Sequence, residues 1–130
     1  MIVGVGTDIL KIERIRNSFN DEHQAFLRKT YSVNEQNQAM QRPDPILYYA
    51  TRFAGKEAVF KALGIECDLI RLSDIELLNN KYGQPQVTLL GNLKHKADEK
   101  QIVAIHISLS YDTEYAIAYA IAEGYTSETI

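Results

Sequence analysis

Hydrophobic and polar positions follow two different periods along this chain, and the period changes part-way. Over residues 2–9 (IVGVGTDI) the period is two. Val3, Val5, Thr7 and Ile9 point to one side, and Ile2, Gly4, Gly6 and Asp8 to the other. That pattern predicts a buried strand whose glycine side admits another element closely. Residues 11–19 (KIERIRNSF) turn helical, with Ile12, Ile15 and Phe19 as the apolar stripe. A second helix is expected over 22–29. Ser32 and Glu35 stand at capping-box spacing and open a third, which Pro43 and Pro45 end. The longest helix is predicted over 46–63, with Gly64 as its C-cap. Strands follow at 74–78 and 86–90 around the turn-rich NNKYGQP, then a short helix over 91–100. Two strong strands, 102–110 and 114–122, are joined by a tight turn at Tyr111-Asp-Thr. Helices gather early and strands late, which favours an α+β fold over a doubly wound sheet.

Composition narrows this further. The chain has 130 residues, which suits one domain, expected over 1–123 with a polar tail at 124–130. A single cysteine, Cys67, excludes an intramolecular disulfide framework and points to a reducing compartment, read here as cytoplasmic. The start, MIVGVGTDIL, has no basic segment before its apolar run and is interrupted by Asp8, so it does not read as a signal peptide. No run approaches the ~20 apolar residues of a membrane span, and no membrane partner is expected. The net charge of -3 argues against a general nucleic-acid binder. Charge is unevenly spread, however. Residues 1–64 carry nine Lys/Arg and seven Asp/Glu, a balance of +2, while residues 65–130 carry five and ten, a balance of −5. An anionic ligand is therefore expected to meet the first half.

Candidate chemistry concentrates in RFAGKEAVFKALG (52–64). Wound at about 100° per residue, Glu57 and Lys61 fall on one arc beside Phe53 and Phe60. Arg52 and Lys56 lie one turn apart on the other side of the phenylalanine pair. Glu57 and Lys61 have two readings. One is a surface i,i+4 salt bridge worth ~0.2–0.5 kcal/mol. The other is a partly buried acid and base lining a site, where a carboxylate requires a cation. Asp8 also has two: a turn former or helix cap, or, with Glu57, a minimal Mg²⁺ site completed by water and phosphate oxygens. On the strand IVAIHISLSYD, His106, Ser108 and Ser110 share a face that meets either solvent or a ligand. On EYAIAYAIA, Ala116, Ala118, Ala120 and Ala122 form an all-alanine face open to close approach by an element or a subunit. The pattern GVG lacks the third glycine of a dinucleotide fingerprint. His23, His95 and His106 are too scattered for a zinc site.

Four stretches taken in order, GVGTDILKIERI (4–15), RFAGKEAVFKALG (52–64), DIELLNNKYGQPQVTL (74–89) and HISLSYDTEYAIA (106–118), resemble the holo-acyl-carrier-protein synthases, the small 4′-phosphopantetheinyl transferases. FLRKTYSVNE (26–35) is similar more loosely. The resemblance implies a phosphopantetheinyl transferase fold, with helices on a mainly antiparallel sheet. It implies transfer of the 4′-phosphopantetheine arm of coenzyme A to a serine of an apo acyl carrier protein, with Mg²⁺ as cofactor. Asp8 and Glu57 match the family's metal ligands, and Lys61 the lysine facing the pyrophosphate. Arg52, Lys56, His106 and Ser108 resemble coenzyme A phosphate contacts. Gly64 belongs with the coenzyme A set, and Gly83 and Pro85 match the loop bordering the adenine. Arg14 matches a basic residue that meets the acidic carrier protein. The family's usual assembly is a homotrimer with sites between subunits, and the all-alanine face is compatible with that. Three departures stand out: Tyr111 replaces a usual His, Ile65-Glu66-Cys67 replaces a Thr-Gly pair, and GQP replaces GKP. They motivate an alternative, a catalytically silent relative that binds coenzyme A or a carrier protein.

Overall fold

The computed structural model describes residues 1–19, 23–66 and 71–125. The elements run β1 (Ile2–Lys11), α1 (Ile12–Ser18), α2 (His23–Thr30), α3 (Val33–Met40), α4 (Pro45–Leu63), a 3-10 turn (Leu72–Asp74), β2 (Ile75–Asn79), β3 (Pro85–Leu89), α5 (Gly91–Glu99), β4 (Ile102–Tyr111) and β5 (Tyr115–Gly124). Strands β1, β5 and β4 form one antiparallel sheet in that order, and β2 and β3 form a separate hairpin. The architecture is α+β, as expected. Strand β5 runs on to Gly124, whose N–H donates to Met1 O at 2.8 Å. Most of the expected polar tail, 126–130, lies outside the described residues, as does Cys67.

Helix α4 is the central element, and its ends are set by local chemistry. The Asp44 side chain caps it by accepting from Leu47 N at 3.2 Å, and Pro45 occupies its first turn, where no N–H is needed. Gly64 closes it in the left-handed region at φ +61°, as a C-cap glycine does. Helix α3 opens with the expected capping box between Ser32 and Glu35.

The seat of α4 on the sheet depends on residues without bulk. A Cβ on Gly4 would come 2.0 Å from Ala62 O, and one on Gly6 would come 2.0 Å from Ala58 O. The register is commensurate: two strand residues advance ~6.6 Å while four helical residues advance ~6 Å. Backbone therefore meets backbone at successive turns. Next to β1, Ala116, Ala118, Ala120 and Ala122 of β5 are wholly buried beneath the same helix. Of the two occupants expected for the all-alanine face, the chain's own α4 takes it, and the face is not available to a subunit.

A second expectation is revised as well. Strand β1 is covered on its glycine side only. On the outer face of the sheet, Val5, Ile9, Ile117 and Tyr119 are 54%, 64%, 46% and 45% exposed. Register puts Val5 beside Ile121, Thr7 beside Tyr119 and Ile9 beside Ile117, with His106, Ser108 and Ser110 completing the row on β4.

The backbone contact at Gly6 carries a direct prediction. Gly6→Ala places a methyl against a carbonyl that cannot move without shifting α4. Urea unfolding is expected to show a loss of about 2–3 kcal/mol with an unchanged m-value. A change below about 0.5 kcal/mol would show that the approach is looser than described.

Candidate active site

Asp8 follows Gly4 and Gly6 on the covered face of β1, so it continues the line along which strand and helix touch. It sits within the strand and does not cap α1, whose N-cap, Lys11, makes no side-chain cap. Opposite it, α4 presents Glu57 and Lys61. The i,i+4 reading of that pair does not hold. Lys61 Nζ turns across to β1, donating to Thr7 O at 2.9 Å and approaching Asp8 Oδ1 at 3.4 Å. Glu57 is half-buried and has no hydrogen bond or ion pair among the described residues. Its carboxyl is pushed up from the ordinary range, first by burial and then by the charge of Asp8, with Lys61 opposing. Two carboxylates thus compete for one lysine, and Glu57 is the one left over.

An unshared carboxylate beside a second one fits a divalent cation. Mg²⁺ takes hard oxygen donors, commonly one or two carboxylates, and completes its shell with water and phosphate. No cluster of three or more His, Cys, Asp or Glu ligands exists among the described residues. A cation held by Asp8 and Glu57 would keep most of its shell for water and substrate.

The remaining predicted residues fall into distinct places. A cleft of about 530 Å³ is lined by Arg52, Gly83, Pro85 and Ser108, together with Arg42, Tyr48, Asn79, Leu109 and Tyr111. Leu109 shares a cross-strand row with Ala118 and Asp8. Two strand spacings, about 10 Å, therefore separate this cleft wall from the carboxylate. Gly83 adopts φ +80° at the tip of the β2–β3 hairpin, and a Cβ there would meet nothing. Its turn is held by Asn80, whose Oδ1 accepts from Tyr82 N and Gln84 N. His106 is exposed outside that cleft, in a second hollow between β3 and β4 shared with Pro85. Its Nε2 lies 2.8 Å from Glu123 Oε1, an acidic partner from the neighbouring strand. Gly64 is fixed by Lys100, whose Nζ donates to Leu63 O at 2.6 Å and Gly64 O at 3.2 Å. Arg14 projects from α1 with no side-chain partner among the described residues.

Lys56 is the clear correction. Its side chain is 0% exposed and its Nζ is used up by Glu35 Oε1 at 2.7 Å, Leu72 O at 3.0 Å and Ile75 O. It cannot reach a phosphate. Arg52 is nearly as enclosed: it stacks 4.0 Å from the Tyr48 ring and donates to Asn79 Oδ1 at 2.5 Å, and its buried Nε has no partner among the described residues. Arg42 and Tyr48 are cleft residues that the sequence pattern does not single out; Arg42 leaves one trace, as a cation two residues before the helix cap Asp44.

Residues 4–120 match the model of the 4′-phosphopantetheinyl transferase superfamily. The chain belongs to that family. It is 39% identical over 121 residues to the holo-[acyl-carrier-protein] synthase of Natranaerobius thermophilus, covering 93% of this chain and 97% of that one. The structure of the Neisseria meningitidis holo-[acyl-carrier-protein] synthase superposes with a TM-score of 0.87 at 30% identity, over 95% and 99% of the two chains. The Helicobacter pylori synthase in complex with coenzyme A gives 0.80 at 28%, over 92% and 99%.

The electrostatics of Glu57 yield a stability prediction. A carboxyl whose folded-state affinity for protons is raised stabilises the fold below its unfolded value and forfeits that as pH rises through the folded value. Glu57→Gln removes the forfeit. The metal-free variant is expected to melt about 1–3 °C above the parent at neutral pH. The gap should close as the pH falls and Glu57 protonates. Equal or lower melting at neutral pH would contradict the unpaired, crowded carboxylate.

Proposed function

We propose that this chain transfers the 4′-phosphopantetheine arm of coenzyme A to a serine of an apo acyl carrier protein, releasing adenosine 3′,5′-bisphosphate. The observation that carries the reading is the meeting of Asp8, Glu57 and Lys61 where β1 crosses α4, about two strands from a cleft walled by Arg52, Gly83, Pro85 and Ser108. The relatives that match nearly the whole chain are synthases of that name, and several similar structures contain coenzyme A. Nothing favours the binding-only alternative, since the acid pair and the lysine are all present and adjacent.

The chemistry follows from charge. A serine hydroxyl attacks the β-phosphorus of a pyrophosphate diester, so catalysis is mostly positioning and neutralisation of anionic oxygens. Asp8 and Glu57 would hold Mg²⁺, which when bound polarises the pyrophosphate and stabilises the leaving phosphate. Lys61 is half-exposed and free to leave Asp8 for a pyrophosphate oxygen. The serine proton is assigned to Glu57, the one of the three with no hydrogen-bond or ion-pair partner among the described residues. Arg52 adds fixed positive charge behind the cleft wall, and Ser108 a hydroxyl within it. Arg14, exposed on α1 beside Lys11 and Arg16, is the cation offered to an acidic carrier protein.

The open outer face of the sheet supports self-association, read here as a homotrimer. Exposed Val5, Ile9, Ile117 and Tyr119 lie in rows that continue into His106, Ser108 and Ser110, so a neighbouring copy would reach the ligand-binding strand. No described helix is long and apolar enough to cross a membrane.

The test of function is direct. With coenzyme A, Mg²⁺ and an apo carrier protein, intact-mass analysis is expected to show the carrier gaining one phosphopantetheinyl group. No gain across several carriers would refute the reading. In the same assay Glu57→Gln is expected to lose at least about a hundredfold in rate, and Arg14→Glu to raise KM for the carrier about tenfold with coenzyme A affinity intact. Sedimentation equilibrium is expected to return three chain masses, and a single-chain mass would remove the trimer.

A further inference from the structure

Two cations one turn apart on α4, Arg52 and Lys56, both end on strand β2. Arg52 donates to Asn79 Oδ1 at its far end, and Lys56 to Ile75 O at its near end. The opposite edge of β2 has no strand beside it. Helix α3 takes that place with two side chains one turn apart. Glu35 Oε2 accepts from Leu77 N at 2.9 Å, and Gln38 Oε1 accepts from Asn79 N at 3.1 Å while its amide donates to Asn79 O at 3.0 Å. Glu35 and Lys56, both 0% exposed, tie the two helices together at the centre of this clasp. Glu35 Oε1 also accepts from Ser32 N at 2.9 Å, and Ser32 Oγ donates to Glu76 Oε2 at 2.6 Å. Every polar atom of the pair is engaged.

The hairpin held in this way ends in the turn that carries Gly83 and Pro85, which stand across the cleft from Ser108 and Leu109 of β4. Strands β3 and β4 belong to different sheets, so no ladder of hydrogen bonds sets the width between them. Apolar packing of β3 on β4 brings the two together, and the directional attachment of β2 to α3 and α4 fixes where the hairpin stands. We propose that Glu35 and Lys56 are positioning residues for coenzyme A: they touch no ligand, and they fix the β2–β3 hairpin at the distance from β4 that the cofactor requires. The inference rests on the reading that this cleft takes coenzyme A.

The role differs from that of a phosphate contact in what each variant should do. Removing Lys56 alone would strand a buried carboxylate, so the pair is neutralised together. In the double variant Glu35→Gln/Lys56→Met, the amide oxygen still serves Leu77 N. KM for coenzyme A is expected to rise at least about tenfold, with a smaller fall in kcat at saturating coenzyme A. The second variant, Lys56→Arg, keeps the positive charge but does not fit the three acceptors around Nζ. A positioning role predicts that KM rises here too, whereas a direct phosphate contact would be retained. Circular dichroism and melting are recorded for each, and if the neutral pair fails to fold, Lys56→Arg decides. Unchanged KM in a folded variant overturns the proposal, as does a rise in the neutral pair alone. The parent is titrated with coenzyme A by calorimetry alongside. Absence of binding there overturns the functional reading and the proposal with it, whereas binding by the parent with unchanged variants overturns the positioning role only.

Discussion

The contact between the backbone of β1 and the backbone of α4 is the constraint on which the rest of this structure depends. Gly4 and Gly6 remove the side chains that would hold strand and helix a normal packing distance apart, and the alanines of β5 extend the same low surface beneath the helix. Hydrophobic burial alone would favour larger residues here, because each methylene removed from water contributes roughly 0.8 kcal/mol. The sheet forgoes that gain for proximity. The result is that the next residue on the same face of β1, Asp8, arrives against a helix whose axis is already close, where its carboxylate meets Lys61 and adds to the rise that burial gives the proton affinity of Glu57.

Helix α4 then divides its circumference between two tasks. Arg52 and Lys56 form one strip, and Glu57 and Lys61 another about 100° away. The first strip is inside, where its cations satisfy carbonyl and carboxylate oxygens of α3, the 3-10 turn and β2. The second lies at the margin of the sheet, half in water. The division explains why a helix carrying four charged residues in ten positions can be the core of the protein. Of the inner charges, Lys56 is ion-paired and fully hydrogen-bonded where water cannot reach, as a buried charge requires, and Arg52 is held by Asn79 and the Tyr48 ring; the outer charges remain able to change partners.

Much of this was legible in the residues. The capping box at Ser32, the C-cap at Gly64, the turn at Gly83 and the close approach expected at Gly4 and Gly6 all rest on local chemistry, and each stands where its residue types require. The ambiguities were long-range. Whether Lys61 served Glu57 or something else depended on β1, fifty-odd residues away, and helical spacing cannot rank a neighbour on the same helix against one on another strand. The same gap hid the partner of Lys56. Capping-box spacing identifies Glu35 as a capping residue, which it is, but its carboxylate has two oxygens and a cap engages one. The alanine face of β5 showed that something approaches closely and left open whether helix or subunit does so.

These long-range partnerships connect the core to the cleft. A hydrophobic core fixes elements relative to one another with some tolerance, because apolar contacts have no strong direction. The β2–β3 hairpin lies outside the main sheet, and tolerance there would become variation in the width of the cleft between Pro85 and Ser108. Directional contacts remove it. Glu35 and Gln38 bind the free edge of β2 much as another strand would, and Lys56 and Arg52 anchor its two ends from α4. Burying a cation and a carboxylate is a poor way to gain stability when two apolar side chains of similar size would serve as well. It is an effective way to hold one strand at one place, and in this fold the place of that strand sets one wall of the site.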